Sequence, residues 1–387
     1  MAAKANQHFV PKFFFRLFNR RERYIHLASK RDSKIVKYAS IRHQCARHKY
    51  YGSKEFEDFL EKFDGRHSIA LNRLISDLQG GGDVPIAFDQ MQSIFEFLSL
   101  QRARVPRAAE KIASMNRQLT LGFLADILNT EPHTVRNEKI LDAISDDTIN
   151  LIEDPLGNIM LAMESGLKSW KLLSDLQPIL VRNRTDIPFV FGDSPVVFHN
   201  EYLHQYHKVI GTIGLGSPGL LIVTPIGTDT ALIFYDDAVY HVDSNIVDLV
   251  DNEVVSKLNG LQAHASLQNV YFSTDCEDHV RHLLDTHRPD FKTTYSSTYT
   301  AQPRTVLVDG NLTPNEVVIT LEQQIPIRLH LPFLTFPPPP PTHELPSCRS
   351  PSIMQLVRGP SVADAGDGIS AQQFLAETLP KVKLPDE

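Results

Sequence analysis

Long hydrophobic runs are missing from this 387-residue chain. Its apolar stretches, such as "GLLIV" at 219–223, fall far short of the roughly 20 residues needed to cross a bilayer, so the sequence predicts no spanning helix and no membrane partner. Cysteine is scarce: Cys45, Cys276 and Cys348 are odd in number and widely spaced. That usage suits free thiols in a reducing compartment and points to a cytoplasmic location. No phosphate loop of the G-x-x-x-x-G-K form, no zinc-protease HExxH and no paired CxxC occurs. The glycine-rich "GTIGLGSPG" at 211–219 leads into a strand pattern, so it lacks the helix N-terminus of a dinucleotide site. "GDSP" at 192–195 is not a G-x-S-x-G elbow, and Ser194 before a proline is poorly placed as a nucleophile.

Charge is present but uneven. Residues 1–50 carry a net +11 and the remainder −18. A basic head on an acidic body fits phosphate recognition, and equally fits two halves that pack together. The absence of acid before Glu22 also resembles an organelle address, but "FFF" and "RRER" are blocks instead of interleaved faces.

Pro11 suits the first turn of a helix, and Phe13, Phe14, Leu17 and Phe18 then share one side. "RYIHLAS" and "KIVKYAS" flank the turn-prone "KRDSK" and predict a hairpin near 23–40. From about 53 to 176 the period is helical. Ser53 opens one helix, which "GGGD" at 80–83 stops; a second carries Phe88, Met91, Phe95 and Leu98; Pro106 begins a third after a break at Val105. Another, over about 156–176, carries the sole tryptophan, Trp170. Beyond 177 the period falls to two, and "PILVRN", "PFVFG", "PVVFHN", "GLLIVTPI" and "TALIFYD" read as strands, followed by a helix over about 245–266 and the strand "NVYFS". The predicted class is α+β, a central helical region flanked by an N-terminal hairpin and a C-terminal mixed sheet. Nine prolines in 331–360, five of them consecutive at 337–341, predict disorder from about 335, with a short helix near "SAQQFLAETL". The expected organisation is one domain over 1–278, a poorly defined β extension over 279–334 with a hairpin near 303–331, and a proline-rich disordered tail over 335–387.

Five stretches occur in order: "QHFVPKFFFRLF" at 7–18, "FLSLQRARVPRAAE" at 97–110, "PFVFGDSPVVFHN" at 188–200, "TPIGTDTALIF" at 224–234 and "LNGLQAHASLQNVYFS" at 258–273. Together they resemble the family of domain of unknown function 4238 over about residues 7–275. The family brings no activity with it. The resemblance implies that "QHFVP" opens the folded domain and that His8 stays in the mature protein. Its polar positions fall here on Gln7, His8, Gln101, Arg104, Asp193 and Asn259, with a tyrosine at Tyr50 or Tyr51. Where the family has a motif like "SDNP", this chain has "GDSP", which removes an amide beside Asp193.

Gln101 and Arg104 lie at i and i+3 and extend the apolar face of Ile94, Phe97 and Leu98. A guanidinium turned toward the core needs a partner, and Asp193 is the expected one. His8, Gln101, Arg104 and Asp193 then form a candidate catalytic cluster. It offers an imidazole, a carboxylate that with His8 would hold a divalent metal, and a guanidinium for phosphate oxygens, with Gln7 and Arg16 as candidate substrate-binding side chains. Such a set suits a metal-dependent, nuclease-like phosphodiesterase acting on nucleic acid held by the basic N-terminal region. The alternative is a buried network that fixes how the N-terminal segment docks. The chain is then a non-catalytic module that binds nucleic acid, or a protein whose aromatic groove takes the proline tail. "HQCARH" at 43–48 and "HNEYLHQYH" at 199–207 hold zinc-capable residues, but a surface segment and an aromatic loop explain them as well.

Overall fold

The computed structural model describes residues 6–19, 23–80, 87–130, 135–145, 154–206, 212–273, 276–292, 297–308, 311–322, 324–341, 344–346 and 348–358. Its first elements follow from proline and aromatic spacing. Pro11 stands at the N-cap of α1 (Lys12–Phe18), which buries Phe14, Phe15 and Phe18. Phe14 meets Phe97 and Phe191, Phe15 meets Phe191 and Tyr271, and Phe18 lies 4.4 Å from the Phe191 ring. Three of these contacts, Phe14–Phe191, Phe15–Phe191 and Phe15–Tyr271, are edge-to-face, and aromatic pairs of this kind add stability beyond the area they bury.

Upstream of α1, β1 (Asn6–His8) pairs antiparallel with β4 (Ala46–His48), and between them runs the expected hairpin, β2 (Tyr24–Ser29) with β3 (Ile35–Ser40). The helical region opens with α2 (Lys54–Gln79), capped by Ser53, whose Oγ accepts from Phe56 N. α3 (Phe88–Ala103) and α4 (Pro106–Thr130) are separated by the break predicted before Pro106. α5 (Val135–Ser145) precedes α6 (Pro155–Ser169), where Asp154 caps Gly157 N and Pro155 sits at the first turn.

β5 (Gln177–Asn183), β6 (Phe191–Gly192), β7 (Val197–His199), β8 (Leu221–Pro225), β9 (Thr230–Tyr235) and β10 (Ile246–Leu249) come next, followed by α7 (Asn252–Ala265), β11 (Asn269–Phe272) and α8 (Glu277–His287). One sheet has the order β10-β5-β9-β8-β7, antiparallel except for the β10–β5 edge; another, antiparallel throughout, has the order β3-β2-β11-β6. The strand period of two divides the five-stranded sheet between two cores. Leu180, Ile222 and Leu232 pack toward α1 and α3, whereas Val181, Val223 and Ile233 pack toward Val255, Leu258 and Leu261 of α7. The fold is α+β, as predicted.

Three differences have physical reasons. The helix predicted over about 245–266 begins only at Asn252, because Asp251 accepts from Glu253 N as its cap. Ahead of that cap, Ile246–Leu249 pair in parallel with Leu180–Asn183. α8 was not foreseen: its apolar positions Val280, Leu283 and Leu284 are few, and charge fills the rest. Thirdly, the segment expected to be poorly defined or disordered contributes to the core. The strands β12 (Ser297–Val308) and β13 (Asn311–Glu322) form a hairpin, and Ile325, Ile327, Leu329 and Leu331 are buried under α7.

The disorder predicted from about 335 is likewise corrected for residues 335–341 and 349–358. Phe336 packs edge-on against Tyr240 at 5.3 Å, and Tyr206 Oη donates to Pro340 O at 3.1 Å. Arg349, fully shielded, donates to both oxygens of Asp175 and to the carbonyls of Leu172 and Leu215, ahead of α9 (Pro351–Arg358). Proline deprives this stretch of ladder hydrogen bonds, yet aromatic contacts and one charged clamp replace them. The helix expected near "SAQQFLAETL" lies outside the described residues. Among those residues, no helix is long and apolar enough to cross a membrane.

β6 runs so close to the C-terminal end of α7 that a Cβ on Gly192 would lie 2.0 Å from Ser266 Oγ and 2.8 Å from the backbone oxygen of Gln262. Gly192→Ala is expected to lower stability by about 2–3 kcal/mol through overpacking, read as a shift in the urea midpoint at unchanged slope.

Candidate functional site

The side chains singled out in the sequence divide between two places. Gln101 and Arg104, on the last turns of α3, meet at one acceptor: Gln101 Nε2 and Arg104 Nε each lie 3.0 Å from Phe9 O, and Arg104 Nε also donates to Gln101 Oε1 at 2.8 Å. The partner of Arg104 is Asp64 of α2, at 2.9 Å, not Asp193. Burial pushes the Asp64 carboxyl up, and the Arg104 guanidinium opposes that shift. Gln7 is buried as well. Its Oε1 accepts from Tyr51 N at 2.6 Å and its Nε2 donates to Ser53 O at 2.9 Å, so it braces β1 against the start of α2. Of the two candidate tyrosines, Tyr51 donates to His8 O.

Asp193 follows β6 and closes the turn between α7 and β11. Its Oδ1 accepts from Leu267 N, and its Oδ2 from Gln268 N and Asn269 N, at 2.7–3.1 Å. Burial raises its pKa, and these three N–H groups and the Arg107 charge pull it back. Asp193 lines a cavity of about 110 Å³ with Cys45 and Tyr271, whereas His8 lines another. His8 and Asp193, expected together around a metal, thus line separate cavities. Among the described residues, no group of three or more His, Cys, Asp or Glu could hold a metal ion. Asn259 pins the extended segment just before β6, accepting from Val190 N and donating to Pro188 O.

The histidine-rich segments are structural in the same way. His199 lies 3.3 Å from Glu201, which also accepts from Leu329 N and Arg328. Although burial opposes it, these partners bring the Glu201 carboxyl down to about 2. In "HQCARH", Cys45 is buried against the Tyr271 hydroxyl, while His43 and His48 are exposed.

His8 and Arg16 come together in a cleft of about 300 Å³ between α1 and α2. Lys12 and Arg16, one turn apart, stand on the α1 wall; Glu57, Glu61 and Asp64, at i, i+4 and i+7, share the facing side of α2. His8 Nε2 lies 3.1 Å from Arg42 O. A carbonyl only accepts, so Nε2 carries the hydrogen. Burial, with help from the Lys12 charge, lowers the His8 pKa to about 4. At neutral pH the ring is uncharged and Nδ1 is an acceptor. These α2 carboxylates were missed because "EFEDFLEKFDG" reads as a solvated acidic face; the signal was their regular spacing.

Outside the cleft, Arg23, Arg42, Arg47 and Lys49 are exposed. Arg42 adjoins the cleft through the contact of its backbone oxygen with His8, Arg47 stands opposite Gln7 in the β1–β4 pair and lines the cavity of Asp193, and Arg23 O accepts from Ile41 N. Four non-glycine residues in this stretch hold left-handed backbone, Ser33, Tyr38, Cys45 and Lys49, with φ between 48° and 55°. Such strain is retained where surrounding structure enforces it, and it concentrates at functional surfaces.

A family model described as "Protein of unknown function (DUF4238)" matches residues 6–276, well over half of the chain. No curated protein and no solved structure matches it.

Two outcomes follow from the buried groups. Arg104→Ala leaves Asp64 uncompensated and Phe9 O short of donors, and is expected to cost about 3 kcal/mol in chemical denaturation. Arg104→Lys should not restore this, because an ammonium cannot reproduce the fork. Secondly, burial lowers His8 to about 4 and both His67 and His264 to about 3. A folded pKa below the unfolded 6.5 gives stability that is full above pH 6.5 and lost as pH falls toward those values. Unfolding free energy should drop on acidification, with His8 alone accounting for about 3 kcal/mol at pH 4, and His8→Gln should flatten the profile by that amount.

Proposed function

The chain belongs to the DUF4238 family, whose description carries no activity, and from that premise we propose that it binds single-stranded nucleic acid. The observation that carries the reading is the opposed charge of the two walls of the α1–α2 cleft. The exposed Arg23, Arg42, Arg47 and Lys49 of the N-terminal region suit phosphates. Inside, Glu57 and Glu61 suit the N–H donors of an unstacked base, His8 Nδ1 offers a further acceptor, and Phe13 on the wall offers a ring for stacking. Asp64 answers Arg104; beside it, Glu57 and Glu61 leave the α2 wall acidic, and a nucleotide, anionic at one end and donor-bearing at the other, uses both walls.

Phosphodiester hydrolysis by a nuclease-like route is the second reading, favoured by the neutral Nδ1 of His8 beside Lys12 and Arg16. It is the weaker one, because a group with a pKa near 4 is a poor proton acceptor at neutral pH.

Fluorescence anisotropy with labelled single-stranded RNA and DNA, over a salt series, tests the proposal. Affinity should fall steeply with salt, and Arg42→Gln and Arg47→Gln should each weaken binding across all sequences while reducing the log–log salt slope by about 1. Glu61→Gln should change base preference instead. Salt-independent binding, or indifference to both arginine variants, overturns the reading. Cleavage that requires Mg²⁺ or Mn²⁺ and is abolished by His8→Ala replaces it with the nuclease.

A further inference from the structure

One end of the β3-β2-β11-β6 sheet carries exposed aromatic rings. On β2, Ile25 and Leu27 belong to the main core, so the period of two turns Tyr24, His26 and Ala28 to the opposite face. Farther along that face Ala28, Val270 and Phe272 pack with Val280, Leu283 and Leu284 of α8. Toward the open end of the hairpin this cover gives out: Tyr24 is 47% exposed and Tyr38 64%. The rings form a row. His26 lies 5.5 Å from Phe272 on one side and 5.0 Å from Tyr38 on the other, so a half-buried imidazole ties the exposed Tyr38 to the packed Phe272.

A backbone irregularity sets the position of Tyr38. Ile25 pairs with Ala39 and Leu27 with Val36, so β3 carries one residue more than β2 across this interval. Such bulges re-aim side chains, and within this one Tyr38 holds left-handed backbone at φ 55°. Arg23 directly precedes Tyr24, and Arg42 lies two residues beyond Ser40, which stands opposite Tyr24. Both arginines are exposed, whereas Lys37 is already paired with Glu277. The same end of the hairpin adjoins the α1–α2 cleft, since Ile41 N donates to Arg23 O and His8 Nε2 donates to Arg42 O. Rings displayed on a sheet offer bases a surface to stack on whatever their sequence, and positive charge beside the rings suits the phosphates that join those bases.

We infer that Tyr24 and Tyr38 form a stacking platform for the bases of a single strand that continues from the α1–α2 cleft across the open end of the β2–β3 hairpin. The course of the strand rests on the reading of the cleft as a nucleotide site; the rings and their exposure do not. The bases lie on the two tyrosines, and the exposed Arg23 and Arg42 supply charge for the phosphates between the two sites.

Fluorescence anisotropy with labelled oligoadenylate, and ultraviolet crosslinking of iodouridine-substituted RNA, test this on the full chain. Tyr24→Leu and Tyr38→Leu keep an apolar side chain and remove the ring. Each should weaken binding about tenfold and leave the log–log salt slope unchanged, because no phosphate contact is lost. Tyr24→Phe and Tyr38→Phe should keep the affinity of the unaltered protein. Crosslinks should map to the tryptic peptides that begin at these residues, Tyr24–Lys30 and Tyr38–Arg42. A melting curve checks that the leucine variants are folded, and the crosslink map of the unaltered chain decides the matter where one is not. Binding whose base preference changes with Glu61→Gln but which ignores both leucine variants, with crosslinks confined to other peptides, overturns the platform and leaves the cleft standing. Binding that depends on the tyrosines and ignores Glu61→Gln keeps the platform and overturns the cleft. Phenylalanine variants as weak as the leucine ones overturn stacking, and no binding of either oligonucleotide removes both sites.

Discussion

One carbonyl oxygen organises the N-terminal half of this protein. Phe9 O accepts from Gln101 and from Arg104, and Arg104 extends the same connection to Asp64. A guanidinium that is 1% exposed is stable only where its charge is answered, and here Asp64 answers it while Phe9 O and Gln101 take its Nε hydrogen. The segment before α1, the end of α3 and the middle of α2 must therefore arrive together. Once Phe9 is fixed, Pro11 sets the start of α1, and the three phenylalanines behind it are carried onto Phe97, Phe191 and Tyr271. The helical layer and the four-stranded sheet are thereby joined through a helix of seven residues.

The same connection explains the distribution of charge. The head of the chain is basic, yet its apolar side chains, from Phe9 and Val10 through Ile25 and Leu27, belong to the main core. Cations of this head are left at the surface, with Lys12 and Arg16 opposite the acidic wall of a cleft. Packing of a basic half on an acidic half and display of a cationic surface are thus one arrangement seen from its two sides.

Periodicity made most helices and strands legible, because an apolar face must match 3.6 or 2 whatever its partner. It also showed that Gln101 and Arg104 turn inward, since both extend the face of Ile94 and Phe97. What it could not supply was the identity of the facing element. Asp64 and Asp193 are equally plausible partners by type, and the choice depends on which loop lies across from α3. Asp193 was expected beside Arg104 and as a metal-holding carboxylate, whereas its oxygens hold three N–H groups of a turn that no local pattern announces. The parallel edge at β10 was hidden for a related reason: Ile246, Val247 and Leu249 satisfy a helical and a strand pattern alike, and only the cap at Asp251 separates them.

The clamp made by Arg349 has a consequence for the order in which the molecule is completed. Its partners lie at Leu172, Asp175 and Leu215, and 134 residues separate Leu215 from the arginine that secures it. At ordinary translation rates that interval lasts on the order of ten seconds. Throughout it the nascent chain holds an apolar loop without its fastening, a natural point for chaperone engagement until the ribosome delivers Arg349.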